Sequence, residues 1–171
     1  MFKNKEGFAI GFNKVIIPAS MSTLGKGDVS GIDVTVTEKS DGKLWRRCVV
    51  NNAAYDYITR CSQDDMDIAR PPQNLRIWIF KNIKASSSVM MHQGAVIDNS
   101  LIRSFLGEYA GILKVFLPDI TLGLGDRNSY AGIYSETCHE LAHASHFAQA
   151  GKDYWDKYIK FILTSFVSSG G

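Results

Sequence analysis

Residues 135–147 read Ser135-Glu136-Thr137-Cys138-His139-Glu140-Leu141-Ala142-His143-Ala144-Ser145-His146-Phe147, and the spacing inside this stretch decides how the rest of the chain is read. On a helix, His139 and His143 project from one face, one turn apart. Two imidazoles so placed can reach a single tetrahedral Zn²⁺. Glu140, next to the first of them, is badly placed to bind the same ion. It is well placed to take a proton from water held at the metal and to pass it to a leaving amine. Zinc lowers the pKa of such a water from near 16 to about 7, which makes a nucleophile available at neutral pH. Average residue usage gives this His-Glu-His spacing in about one chain of this length in several hundred. Its neighbours Thr137, Cys138, Leu141, Ala142, Ala144 and Ser145 are uncharged, as a helix buried between two layers requires. Two weaker readings remain, an amphipathic helix with accidental histidines and a metal site that does no hydrolysis. The first must leave three of the chain's four histidines without partners on one apolar helix, and buried imidazoles need partners.

Working outward, Ser135 or Thr137 is the expected N-cap of this helix and Gly151 its stop. Thr137 and Glu140 also fit a capping box, which would put His139 in the first turn. A last helix over 153–167 stacks Trp155, Tyr158, Ile159, Ile162 and Phe166 on one side, an aromatic stripe expected in the core. Upstream, 123–132 reads as a loop and 115–122 as a strand, which Pro118 assigns to a sheet edge. Asn99 or Ser100 caps an expected helix to about Leu113, although Gly107 and Gly111 weaken it. Residues 75–80 (Leu-Arg-Ile-Trp-Ile-Phe) are a strand, with a second short one at 89–91. Pro71-Pro72 excludes helix there. Residues 44–61 are helical, with Trp45, Cys48, Val49, Asn52, Ala53 and Tyr57 near one face. Ile32, Val34 and Val36 alternate with polar residues, as a half-buried strand does. This order of strands and helices implies an α+β fold, a small sheet leading into a buried helix.

Composition excludes several classes. The 171 residues carry a net charge of +2 with no basic run, so nucleic acid is not an expected partner. Arg46-Arg47 reads as a solvated helix face. The apolar stretch 158–167 is about half the length of a bilayer span and contains Lys160, so no membrane span is expected. The N-terminus lacks the order of a signal peptide. Cys48, Cys61 and Cys138 fit no zinc-finger spacing. They leave one bridge or three buried thiols open, the thiols being the expectation. Among lesser candidates, Gly123-Leu124-Gly125-Asp126 has the glycines of a phosphate loop but follows no βαβ unit, so a turn is expected. Tyr130 and Tyr134, ahead of the motif helix, are oxyanion donors or rim packing residues, the latter preferred. His92, beside Met90 and Met91, reads as structural.

The segment Thr137-Cys138-His139-Glu140-Leu141-Ala142-His143 resembles the active-site helix of the zincin metallopeptidase superfamily. With Asn51-Asn52-Ala53-Ala54-Tyr55-Asp56-Tyr57 and Leu117-Pro118-Asp119-Ile120-Thr121, it is similar to a poorly characterised group of bacterial zincins, many of them exported or lipid-anchored. The resemblance implies a zincin-like α+β fold over 39–171, with a small mixed sheet packed on the active-site helix, an earlier helix (44–61) and a C-terminal helix. It makes 115–122 the antiparallel edge strand of the cleft. Outside the resemblance, 1–38 reads as an N-terminal β/loop segment, with the end of a preceding β domain as one reading of it. It implies a zinc metallopeptidase acting on peptides or proteins, with His139 and His143 as metal ligands, Glu140 as general base and an extracytoplasmic location.

The third ligand departs from the family's patterns. Metzincins place a histidine six residues after the second, where this chain has Gln149. Gluzincins use a later glutamate, and none follows Glu140. The ligand is therefore expected beyond Gly171, in keeping with an end at Ser168-Ser169-Gly170-Gly171 that lacks a polar closing element. In-chain substitutes are weaker. His146 sits about 10 Å along the axis from His139 and reads as a packing residue. Asp153 or Asp156 could reach back, although a cap is the simpler role for Asp153, and Cys138 points away from the pair. A non-catalytic binding or scaffold protein that keeps the zincin fold, or an inactive fragment of an active enzyme, is the alternative.

Overall fold

A computed structural model describes residues 2–3, 9–12, 35–39, 42–63, 67–95 and 118–168. Within them the chain runs β1 (Phe2–Lys3), β2 (Ala9–Phe12), α1 (Gly42–Cys61), β3 (Arg76–Phe80), β4 (Ser87–Ser88), β5 (Ile120–Gly123), α2 (Tyr130–Ala150) and α3 (Lys152–Ser168). The strands form one mixed sheet in the order β1-β2-β3-β5-β4. β2, β3 and β5 are parallel, and β1 and β4 are antiparallel to their neighbours. This is the α+β class expected from the order of elements. No helix among the described residues is long and apolar enough to cross a membrane.

The run Ile77-Trp78-Ile79-Phe80 is buried throughout, as a parallel strand covered on both faces requires. Successive side chains alternate between faces. Ile77 and Ile79 stand opposite Ile120 and Leu122 of β5, and all four are fully buried. They join Val49, Val50, Ala54 and Ile58 of α1 and Ile133, Leu141 and Ala144 of α2 in one core. Each large aliphatic side chain there stabilises the fold by about 1.5–3 kcal/mol. Ala53 and Ala54 of α1 are both fully buried, and α1 packs against α2. Two side-chain bonds fasten the helices together, from Tyr134 to Asp56 Oδ2 at 2.9 Å and between Tyr57 and Ser145 at 3.1 Å.

Several expectations require correction. The motif helix starts at Tyr130, not at Ser135 or Thr137. Ser129 is its N-cap and accepts from the Gly132 N–H at 3.1 Å. Ser135 and Thr137 instead donate back to the carbonyls of Gly132 and Ile133, so neither is free to cap. The loop expected over 123–132 shrinks accordingly, and Tyr130 and Tyr134 are helical. β5 is interior rather than at an edge, because Pro118 precedes the ladder and its missing N–H costs no sheet bond; 115–117 lie outside the described residues. β4 takes the edge instead. Its ladder ends at Ser88 because Met90 adopts φ 58, a left-handed conformation that cannot continue a strand, so 89–91 is not the expected strand. Residues 35–37 carry no strand, while Ile32, Val34 and the expected helix over 99–113 lie outside the described residues.

Arg46 is not on a solvated face. It is 9% exposed, donates to the Gly42 carbonyl at 2.8 Å and to Asn128 Oδ1 at 3.0 Å, and lies 3.6 Å from Glu38. The buried face of α1 is accordingly Arg46, Val49, Val50, Ala53, Ala54 and Ile58, and Asn52 is exposed. No disulfide joins Cys48, Cys61 and Cys138, which are half-buried rather than buried. In α3, Trp155 is core and Tyr158 and Ile159 pack against it, as the stripe leads one to expect, with Ile162 half-buried; Tyr154 and Phe161, outside the stripe, are 53% and 70% exposed.

Asp119 ties the sheet to the turn after β4. Its carboxylate accepts from the Arg76 N–H at 2.8 Å and the Gln93 N–H at 2.9 Å, and His92 Nδ1 lies 3.4 Å away. Its backbone carbonyl accepts from Val89 and Met90. Burial pushes the carboxyl up, against the pull of these bonds. Asp119→Ala removes the acceptor of two backbone donors and should cost about 2–3 kcal/mol. Chemical denaturation checks this, and a midpoint equal to the parent's would refute the role.

Candidate metal centre

α2 carries the motif through its middle turns, well in from its start at Tyr130. That places His139 and His143 on regular helix rather than in a fraying first turn. Glu140 is 4% exposed, His139 is exposed and His143 half-buried. The helix therefore turns its glutamate toward the sheet and its histidines toward the rim.

The Nε2 atoms of His139 and His143 are 3.3 Å apart, with the rings at 82°. A tetrahedral Zn²⁺ with Zn–N bonds of about 2.0–2.1 Å holds two nitrogens about 3.3–3.4 Å apart. The spacing therefore matches that of two ligands on one ion. A carboxylate oxygen of Glu140 completes a group whose candidate ligand atoms all lie within 4.8 Å of one another. Among the described residues this is the group of three or more His, Cys, Asp or Glu that could hold a metal ion.

The electrostatics suit that chemistry. Burial, then the neighbouring His139 and His146, hold His143 below the usual histidine range. Its imidazole is therefore neutral at pH 7, the form that binds metal. Burial also holds the Glu140 carboxyl above the usual glutamate range, opposed by a hydrogen bond from Ser88 and by His139. A carboxylate raised in this way is a better proton acceptor near neutral pH.

The weaker candidates take other places. His146 packs in an aromatic cluster, with ring centroids 5.7 Å from Tyr154, 5.5 Å from Trp155 and 5.8 Å from Tyr158. Asp153 is exposed in the first turn of α3, where its charge suits the helix N-terminus. Asp156 pairs with Lys152 at 2.8 Å. Neither His146 nor these aspartates joins the His139–Glu140–His143 group. Tyr134 is held by Asp56, and burial and that carboxylate push its phenol up to about 12. His92 sits against Asp119.

Two contacts of the site could not be read from the sequence. Ser88 of the edge strand bonds Glu140. Trp155 of α3, 1% exposed, lies 6.5 Å from the His143 ring and donates to the Val89 carbonyl at 3.4 Å. The run Ser86-Ser87-Ser88 carries no signal in itself, because its role depends on which strand lies beside it.

No protein-family model matches the chain, and neither a curated protein nor a solved structure matches it.

Proposed function

We propose that this chain is a zinc-dependent peptidase of zincin-like design that hydrolyses peptide bonds with Glu140 as general base. The observation that carries the reading is the pair of Nε2 atoms 3.3 Å apart beside a buried carboxylate. His139 and His143 would hold the ion. When bound there, Zn²⁺ supplies polarisation of the scissile carbonyl and acidifies the attacking water. Glu140 takes a proton from that water as its oxygen bonds to the carbonyl carbon. It then delivers the proton to the nitrogen as the C–N bond breaks, and so ends the cycle as it began. Among the described residues β4 lies at the end of the sheet with β5 on one side only, an edge at which an extended peptide can pair.

One observation favours a second reading. Among the described residues, no His, Cys, Asp or Glu outside the motif joins the two imidazoles. A binding or scaffold protein that holds metal and turns nothing over would need no more than this.

Zinc content per purified chain, after dialysis against a weak chelator, tests the proposal. About one equivalent is expected of a single mononuclear site, together with cleavage of a quenched fluorescent peptide library. Retained zinc without cleavage would favour the scaffold, and absence of zinc would remove the metal site from both readings.

A further inference from the structure

Ser88 stands opposite Ile120 in the β4–β5 ladder. Opposed residues share a face of the sheet, so Ser88 is turned to the side where Ile120 enters the core with α2. There its Oγ lies 2.6 Å from Oε2 of Glu140 and 2.9 Å from the backbone carbonyl oxygen of the same residue. Ser88 is 6% and Glu140 4% exposed, so bulk water is a poor substitute for the hydroxyl. A 2.6 Å O–H···O contact has the length of a hydrogen bond to an ionised carboxylate.

We infer that Ser88 is a positioning residue, whose hydroxyl fixes the Glu140 carboxylate relative to the two imidazoles and fastens it to the edge strand. The inference rests on the hydrolytic reading and adds to it the element that aims the base. A glutamate side chain turns about several single bonds. Unrestrained beside His139 and His143, its carboxylate could swing onto the ion as a ligand or out toward solvent, and in neither place could it serve the attacking water. The two acceptors of Glu140 bracket the Ser88 hydroxyl, and the ladder to β5 holds the Ser88 backbone. The carboxylate is thus held from the strand along which an extended peptide would lie, so base and substrate share one frame. Misplacing a reacting group by about 1 Å can cost about 100-fold in rate.

The test uses the full chain and four variants: Ser88→Ala, Ser88→Thr, Glu140→Ala and the double alanine. Thermal unfolding of the zinc-free proteins forms a double-mutant cycle, in which the double variant should lose clearly less than the sum of the single losses. With zinc restored, Ser88→Ala should lower kcat on peptides by about 10- to 100-fold, with KM and zinc content as in the parent. Ser88→Thr keeps the hydroxyl and should recover most of the rate. Additive losses in the cycle would overturn the contact and the inference with it. Coupling with an unchanged kcat would overturn the positioning role and leave a structural bond. A parent that binds zinc, shows the coupling and cleaves nothing would overturn the hydrolytic reading, and Ser88 would then position no base.

Discussion

Glu140→Gln should keep its zinc and lose about 100- to 10,000-fold in peptide hydrolysis, the range general acid–base catalysis supplies, whereas His143→Ala should lose both zinc and hydrolysis. The contrast follows from where the two side chains sit. His143 faces His139 with 3.3 Å between nitrogens, and removing either imidazole leaves one histidine, which holds zinc poorly. Glutamine occupies nearly the volume of Glu140 and keeps an oxygen to accept from Ser88, so the edge strand stays in place. It has no basic oxygen to take a proton from water. Burial, which raises the Glu140 carboxyl, is the feature the amide wastes. Zinc per chain and kcat on a common peptide, measured side by side for the parent and both variants, decide the matter. Full activity in Glu140→Gln would remove the general base from the mechanism, and retained zinc in His143→Ala would remove the metal site.

What the sequence makes legible is local. The four-residue spacing of His139 and His143, the uncharged Leu141, Ala142, Ala144 and Ser145 around them and Gly151 beyond place the motif on a helix and identify its stop, and the helix does end there. Its start is obscured because Thr137 and Glu140 have capping-box spacing. That pattern is satisfied by residues alone, whereas the real cap at Ser129 depends on a hydroxyl meeting the Gly132 N–H. Pro118 as an edge signal invokes a rule for prolines inside a ladder, and here it lies two residues before one. Ser88 and Arg46 show the limit most clearly. Neither is of a residue type that signals burial. Each is buried by partners far along the chain, Glu140 for the serine and Asn128 for the arginine. Pairing at that separation is a property of the sheet register and the helix packing, which no short window of residues encodes.

The largest loss of stability should come from Gly123→Ala, a change of one methyl group at the end of β5. A Cβ built on Gly123 would overlap the carbonyl oxygen of Ala85 and lie 2.8 Å from its carbonyl carbon and 2.8 Å from the carbonyl oxygen of Ile83. All three are backbone atoms, so no side chain can rotate out of the way. The residue is a glycine for space. The segment cannot retreat cheaply either, because the Gly125 N–H donates to Ile83 at 2.9 Å and the Gly123 N–H to Ser86 Oγ at 3.1 Å. Overpacking of this kind costs about 1–3 kcal/mol and at times more, and a clash confined to backbone belongs at the top of that range. For a domain of this size, about 3 kcal/mol lowers Tm by about 6–12 °C. The displaced segment leads within three residues from Ala85 to Ser87 and Ser88, the edge strand that touches Glu140. Whatever the chain does to relieve the added methyl group is therefore transmitted to the carboxylate. The variant should lose hydrolysis even at temperatures where circular dichroism shows it folded, while His139 and His143, carried by α2, still bind zinc. A Tm within about 2 °C of the parent's, on that same scale, would show that the 83–85 segment moves freely. The edge strand would then lack the fixed backbone from which Glu140 is held.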